Sequence, residues 1–154
     1  MNVKGIAIGL ACIAAAGAAA LFFYAGKPSA AFIDPADAAL VAQGKGIYTT
    51  HCAACHGINL EGQPEWRKRL PNGRLPAPPH DGSGHTWHHP DAVLVDIVKN
   101  GLVPGRTAPD GYQSDMPAYA QVLSDAEVAA VLAYIKSSWP PEALAMQKEL
   151  TLRK

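Results

Sequence analysis

The sequence is short of residues that several classes of protein depend on. It has three cysteines in 154 residues, too few for a small domain held together by many disulfides. Charged residues make up only 17%, and from residue 32 onward 11 basic and 13 acidic side chains give a net charge of −2. This balance argues against a nucleic-acid-binding protein, which needs a strongly basic face. The many prolines and glycines between residues 64 and 111 argue against a simple helical bundle.

Charge is missing altogether from one long segment near the N-terminus. Residues 5–26 form an uncharged run of 22 residues, which as a helix spans about 33 Å, enough for a hydrocarbon core of about 30 Å. Lys4 precedes the run, and the aromatic residues 22–24 fit the membrane interface. The run is long for a cleaved signal peptide, although Ser29-Ala30-Ala31 is compatible with cleavage. We predict a retained membrane anchor and short linker over residues 1–31.

The remaining sequence predicts three main helices and no strands. Asp34-Pro35-Ala36-Asp37 indicates the start of the first, with Asp34 as N-cap, and this helix should end near Thr50. Signals at residues 89–91 and 100–101 predict the beginning and end of a second helix. Ser124-Asp125-Ala126-Glu127 is a capping box for the third. The inward-facing residues of the third helix are Val128, Val131, Leu132 and Ile135. The predicted fold is all-α.

The segment that carries chemistry is Cys52-Ala53-Ala54-Cys55-His56. Cys-x-x-Cys-His is the attachment sequence for c-type haem. Two thiols three positions apart on one helical turn can form thioethers to one edge of a porphyrin, and the following histidine is placed to bind iron. A thioredoxin-like site requires a βαβ context, and a structural zinc site requires a second pair of ligands. The sequence offers neither, so we predict one covalent haem c on Cys52 and Cys55, with His56 as an axial ligand.

The chain resembles the class I cytochromes c over residues 34–139. In that family a glycine and an aromatic residue lie eight and four positions before the first haem cysteine, and Gly44 and Tyr48 stand there. The resemblance implies the class I cytochrome c fold, in which the N- and C-terminal helices cross around one covalent haem. Gly44 should let the first helix approach the last one closely, against Val131 and Tyr134. Tyr48 and Tyr134 are predicted to line the haem pocket.

A sixth iron ligand is also implied, and Met116 is the methionine suited to it. Met1 lies in the predicted anchor, and Met146 lies beyond the helix-ending Pro140-Pro141. Met116 lies in Asp115-Met116-Pro117-Ala118-Tyr119, which is similar to the family's distal Met-Pro-aromatic segment. A neutral thioether favours ferrous iron and so raises the reduction potential. The alternative is a methionine that only fills core space.

The proline-rich segment before residue 80 is predicted to orient His56. In the family a proline carbonyl accepts the Nδ1–H of the haem-binding histidine and fixes its tautomer. Pro78 fits the family spacing best, and Pro76 and Pro79 are the alternatives.

Four histidines follow that segment and distinguish this chain from the family pattern. They are His80, His85, His88 and His89. His80 occupies a position that is usually apolar in the family. We predict that this loop donates hydrogen bonds to the haem propionates, chiefly through His85 and Trp87. The alternatives are solvated loop histidines, a surface site for copper or another metal, and replacement of Met116 as axial ligand.

Together these features predict a membrane-tethered mono-haem cytochrome c. The predicted parts are an anchor at 1–31, a haem domain at 32–139 and a tail at 140–154. It would carry single electrons on the periplasmic side of a bacterial inner membrane, between partners such as a quinol:cytochrome c reductase, a terminal oxidase or a periplasmic dehydrogenase. A six-coordinate iron has no substrate position, so the protein is not predicted to be an enzyme. The alternative is a haem-based gas or redox sensor, in which Met116 dissociates and carbon monoxide or nitric oxide binds.

Overall fold

The computed structural model describes residues 32–153, in which the regular elements are helices joined by long irregular segments. Its elements are α1 (Ala38–His51), α2 (Ala53–His56), a 3₁₀-helix (Thr86–His88), α3 (Asp91–Asn100), α4 (Asp125–Lys136) and α5 (Pro141–Leu152). Within this range there is no strand, and the all-α prediction is confirmed. Residues 32–153 contain no helix long and apolar enough to cross a membrane. The predicted anchor at residues 5–26 lies outside the described residues.

Helix α1 begins later than predicted. Its N-cap is Asp37, whose carboxylate accepts hydrogen bonds from the amides of Ala39 at 3.0 Å and Leu40 at 3.1 Å. The prediction of Asp34 as N-cap was wrong. The Asp34 carboxylate instead accepts from the amide of Ala36 at 2.9 Å. Because this bond closes a turn two residues on, the chain bends there before it enters the helix.

Helices α1 and α4 pack closely at a glycine, as predicted. A Cβ atom on Gly44 would lie 1.9 Å from the carbonyl oxygen of Ala130 and 3.0 Å from Cβ of Tyr134. Any side chain at this position would therefore push the two helices apart. The predicted contact of Gly44 with Tyr134 is confirmed, but the Ala130 backbone, rather than Val131, lies nearest.

Helix α4 has the predicted cap and buried face. The Ser124 hydroxyl accepts from the amide of Glu127 at 3.3 Å, and the Glu127 carboxylate accepts from the Ser124 amide at 2.8 Å. The inward-facing stripe is buried as predicted: Val128, Val131, Leu132 and Ile135. Helix α3 also starts and ends where predicted, and Gly101 follows it with a φ of 75°.

Residues 141–152, placed in the tail by the sequence pattern, form α5, which packs on the 3₁₀-helix and α3. Its Gln147 Nε2 lies 2.7 Å from an Asp91 carboxylate oxygen and 3.1 Å from the carbonyl oxygen of His89. The Asp91 carboxylate also accepts from the amide of Ile33 at 2.7 Å and from Lys136, whose Nζ lies 2.8 and 3.0 Å from the two carboxylate oxygens. Both charged side chains are almost fully buried. Burial lowers the pKa of Lys136, and the bond to Asp91 opposes that shift. The ion pair joins α3 to α4, and Gln147 joins α5 to the same carboxylate.

Candidate functional site

The attachment motif forms the turn where α1 ends and α2 begins. Cys52 lies between the two helices, and its carbonyl accepts from the amides of Cys55 at 3.1 Å and His56 at 2.9 Å. The two cysteines form no disulfide; Cys52 is partly buried and Cys55 is exposed. Burial, followed by the proximity of Cys55, raises the pKa of the Cys52 thiol to about 11. One turn therefore presents two unpaired sulfurs and an imidazole together.

The His56 imidazole is buried and oriented by a backbone carbonyl. Its side chain is 8% exposed, and Nδ1 lies 2.8 Å from the carbonyl oxygen of Pro78. Because a carbonyl only accepts, Nδ1 must carry the proton, and Nε2 is left with a free lone pair. Burial lowers the pKa of His56, while the Pro78 contact opposes that shift. Among the three candidate prolines, the contact is made by Pro78. The result is a neutral imidazole ready to bind a metal through Nε2.

His80 lies against the face of His56. The two rings are stacked, with centroids 3.8 Å apart and planes 16° from parallel. Burial lowers the pKa of His80 well below its ordinary value. A metal held by Nε2 of His56 would lie beyond the edge of that ring, whereas His80 is stacked on its face. The geometry therefore argues against His80 as a replacement for Met116.

Two tyrosines line the same side of the motif. Tyr48 is fully buried, its ring centroid lies 5.3 Å from that of Tyr134, and its edge faces His80 at 5.9 Å. The Tyr48 hydroxyl donates to the carbonyl of Gly57 at 2.9 Å. Burial, followed by the proximity of Cys52, raises the pKa of Tyr48. We refer to Tyr48, His56, Pro78 and His80 as the His56 side.

The loop between His80 and Pro90 contains a buried donor without a protein partner. Nε1 of Trp87 is buried and has no hydrogen-bond acceptor among residues 32–153. Its indole stacks on His88 with centroids 4.4 Å apart. Buried unpaired N–H groups are rare in native proteins. A carboxylate such as a haem propionate would satisfy this donor, so the loop is compatible with the group that the motif implies.

His85 lies in the same loop but is exposed. The ring is only partly shielded from water, and this partial desolvation, followed by the proximity of His88 and His89, lowers the pKa of His85. In the part of the chain that the structure describes, no three His, Cys, Asp or Glu side chains are arranged to hold a metal ion. The hypothesis of a surface metal site here therefore finds no support.

Met116 is partly buried in a segment that runs beside the end of α3. Its amide donates to the Ser114 hydroxyl at 3.0 Å, and its carbonyl oxygen lies 3.3 Å from where a Cβ on Gly101 would be. Three and four residues later, the backbone is bonded to α3: Tyr119 N donates to Val98 O at 3.0 Å, and Ala120 N donates to Lys99 O at 2.9 Å. We refer to residues 116–120 as the Met116 segment.

The sequence contained no signal for a second contact of this segment. The Tyr119 hydroxyl donates to the carbonyl of His51 at 2.6 Å, and the two rings meet edge to face at 5.9 Å. His51 immediately precedes the first cysteine of the motif. The two residues are 68 positions apart, so neither periodicity nor a local motif could have revealed the contact.

Comparison with known proteins matches this chain to cytochromes c. The model of the cytochrome c family matches residues 41–139. Subunit CcoP of a cbb3-type cytochrome c oxidase from Azospirillum sp. (strain B510) is 32% identical over 102 residues, 65% of this chain and 29% of the relative. The cytochrome c subunit of a cytochrome bc1 complex from Mycobacterium tuberculosis (strain ATCC 25618 / H37Rv) is 25% identical over 111 residues, 72% of this chain and 32% of the relative.

The extent of these matches is enough to assign the family of this chain but not the function of a whole protein. The chain spans less than a third of the length of these curated relatives. No solved structure matches the chain at the significance that these relatives reach. The family match nevertheless covers more than half of the chain and includes the whole attachment motif. The chain therefore belongs to the cytochrome c family and carries covalently bound haem c, with Cys52 and Cys55 in the attachment motif.

Proposed function

We propose that this protein is a membrane-tethered, one-electron carrier. The observation that supports the proposal most is the buried His56 imidazole, whose Nδ1 is bonded to Pro78 and whose Nε2 is left for iron. When bound, haem c supplies an iron that accepts or donates one electron. Cys52 and Cys55 would hold it by two thioethers, and His56 and Met116 would be the residues that ligate the iron. The neutral Met116 thioether favours the ferrous state and raises the reduction potential.

The surrounding residues keep water from the iron and hold the ligands in place. Tyr48 and Tyr134 pack beside the motif and exclude water from the His56 side. Pro78 keeps the His56 proton on Nδ1, so the ligand does not have to reorient when the iron changes oxidation state. Trp87 and His85 would donate to the haem propionates. With His56 and Met116 both bound to the iron, no position would remain for a substrate, and we propose that the protein is not itself an enzyme.

The proposed partners are respiratory redox complexes. The relatives are named as subunits of a cbb3-type oxidase and of a bc1 complex. We infer that this chain exchanges electrons with complexes of that kind: a quinol:cytochrome c reductase, a terminal oxidase or a periplasmic dehydrogenase. Residues 5–26 would hold it as a single-pass protein in a bacterial inner membrane, with the haem domain in the periplasm. Tethering raises the effective concentration of the carrier at its partner.

The test is a comparison of the haem-loaded full chain with Met116→Ala. The oxidised wild type should show the weak red charge-transfer band of a methionine–iron bond, and the reduced form should bind carbon monoxide slowly. Met116→Ala should abolish the band, open the iron to carbon monoxide and lower the reduction potential. A wild type that binds carbon monoxide rapidly at neutral pH would instead indicate the gas sensor. Retention of the band in Met116→Ala would show that another residue is the sixth ligand.

A further inference from the structure

Two tyrosine hydroxyls hold the two ends of the haem-attachment turn. Tyr48 donates to the carbonyl of Gly57, which follows the motif, at 2.9 Å. Tyr119 donates to the carbonyl of His51, which precedes it, at 2.6 Å. The first bond is local, because Tyr48 lies on the helix that leads into the turn. The second brings in the Met116 segment from a distant part of the sequence.

Besides its local hydrogen bonds, the Met116 segment is bonded to two helices. Its backbone is bonded to the end of α3 through the amides of Tyr119 and Ala120. Among residues 32–153, the Tyr119 hydroxyl makes the side-chain hydrogen bond that joins the segment to α1. His51 is the last residue of α1, and Cys52 follows it directly. The bond therefore links the backbone that carries Met116 to the backbone that carries a haem thioether.

We propose that Tyr119 is a positioning residue for the sixth ligand, holding the Met116 segment closed against the attachment turn. The inference rests on the proposed function, in which Met116 binds the iron. A loop held by few contacts can open without global unfolding. Removal of one of its hydrogen bonds lowers the free energy of that opening more than it alters the core. Tyr119 thus acts on the lifetime of the methionine–iron bond without touching the iron.

The variant that isolates this hydrogen bond is Tyr119→Phe. It keeps the ring that packs on His51 and removes only the hydroxyl. The matched control is Tyr112→Phe, which removes a hydroxyl upstream of Met116 that has no hydrogen bond within the described residues. Both variants are prepared as the haem-loaded full chain, together with Met116→Ala.

Two measurements report on the opening of the segment. The first is the rate at which the reduced protein binds carbon monoxide. Carbon monoxide binds only while Met116 is off the iron, so this rate is proportional to the fraction of molecules in which the segment is open. The loss of a typical net hydrogen-bond contribution corresponds to an increase of about fivefold in this rate for Tyr119→Phe. The second is denaturant titration of the oxidised protein. In Tyr119→Phe the red band should disappear at a lower denaturant concentration than in wild type, well before the helical circular dichroism changes. Tyr112→Phe should match wild type in both.

The outcomes separate the inference from the proposed function. If Met116→Ala abolishes the band while Tyr119→Phe matches Tyr112→Phe in both measurements, Met116 is the ligand and the role of Tyr119 is refuted. If Met116→Ala keeps the band, the ligand assignment fails, and the inference fails with it. If Tyr119→Phe is globally less stable, the deciding quantity is the difference, in the same sample, between the denaturant midpoint of the red band and that of the helical circular dichroism. A band and helix signal that shift together would mean that Tyr119 is merely structural.

Discussion

The His56 side and the Met116 segment are built in different ways. On the His56 side, Tyr48 is fully buried and the imidazole of His56 is 8% exposed, so core packing holds the geometry. The Met116 segment is an irregular stretch between α3 and α4, in which Met116 is only partly buried and hydrogen bonds hold the backbone. Core contacts are lost on global unfolding, whereas a loop can open by itself. The predicted fifth ligand is therefore part of the core, and the predicted sixth depends on a few separate contacts.

Removal of both haem cysteines should abolish the folded structure of the His56 side and of the Met116 segment together. In Cys52→Ala/Cys55→Ala the chain cannot attach haem, and a domain of this size has little other apolar core to stabilise it. We expect no covalent haem after denaturing electrophoresis and largely unfolded circular dichroism. Cys12→Ala, which lies outside the motif, is the control and should behave as wild type. Isolation of a folded, helical, haem-free double variant would contradict this view.

Lys136→Met tests how much the buried ion pair at the start of α3 stabilises the fold. The other end of that helix is hydrogen-bonded to the Met116 segment. The substitution leaves the buried Asp91 carboxylate without its cation. Breaking a buried ion pair from one side typically destabilises by about 3–5 kcal/mol. Denaturant unfolding followed by circular dichroism would measure the loss. Lys45→Met, at an exposed position of α1, should change the free energy of unfolding by less than about 0.5 kcal/mol. Equal effects of the two would rule out a structural role for the pair.

Gly44→Ala should disturb the His56 side by separating α1 from α4. The new methyl would meet backbone atoms of Ala130, which cannot move aside as a flexible side chain could. Overpacking of this kind typically costs about 1–3 kcal/mol. Gly46→Ala is a control on the same helix, with no atom within 4 Å of its new methyl, and should stabilise the helix by about 0.5–1 kcal/mol. Thermal unfolding of the two variants should thus shift in opposite directions. Stabilisation by Gly44→Ala would disprove the close contact.

Tyr48→Phe should have the smallest effect and distinguish the two regions most clearly. It removes the bond from the hydroxyl to the Gly57 carbonyl, with an expected loss of about 1 kcal/mol. Because Tyr48 belongs to the core, the red band and the helix signal should shift together in denaturant. Tyr119→Phe should separate them. Early loss of the band alone in Tyr48→Phe would show that the His56 side also opens locally.

Several elements were predictable because their signals are local. The Ser124 capping box and the end of α3 at Gly101 depend on residues within one turn of each other. The N-terminus of α1 was not, since Asp34 and Asp37 both offer a carboxylate to an amide two residues on. Which of the two becomes the cap depends on how the preceding chain is held. Asp34 is close to Ile33, whose amide donates to the buried Asp91.

By itself, the sequence determined the haem-attachment turn and the helical character of the segments that form α1, α3 and α4. These follow from residue spacing along a helix, which is the same in any fold. Only the tertiary structure decided which proline meets His56, how His80 lies on that ring, that Asp91 and Lys136 form a buried pair, and that Tyr119 reaches His51. Each of these contacts joins residues more than 20 positions apart. Their formation depends on how whole helices pack, and no local pattern records that.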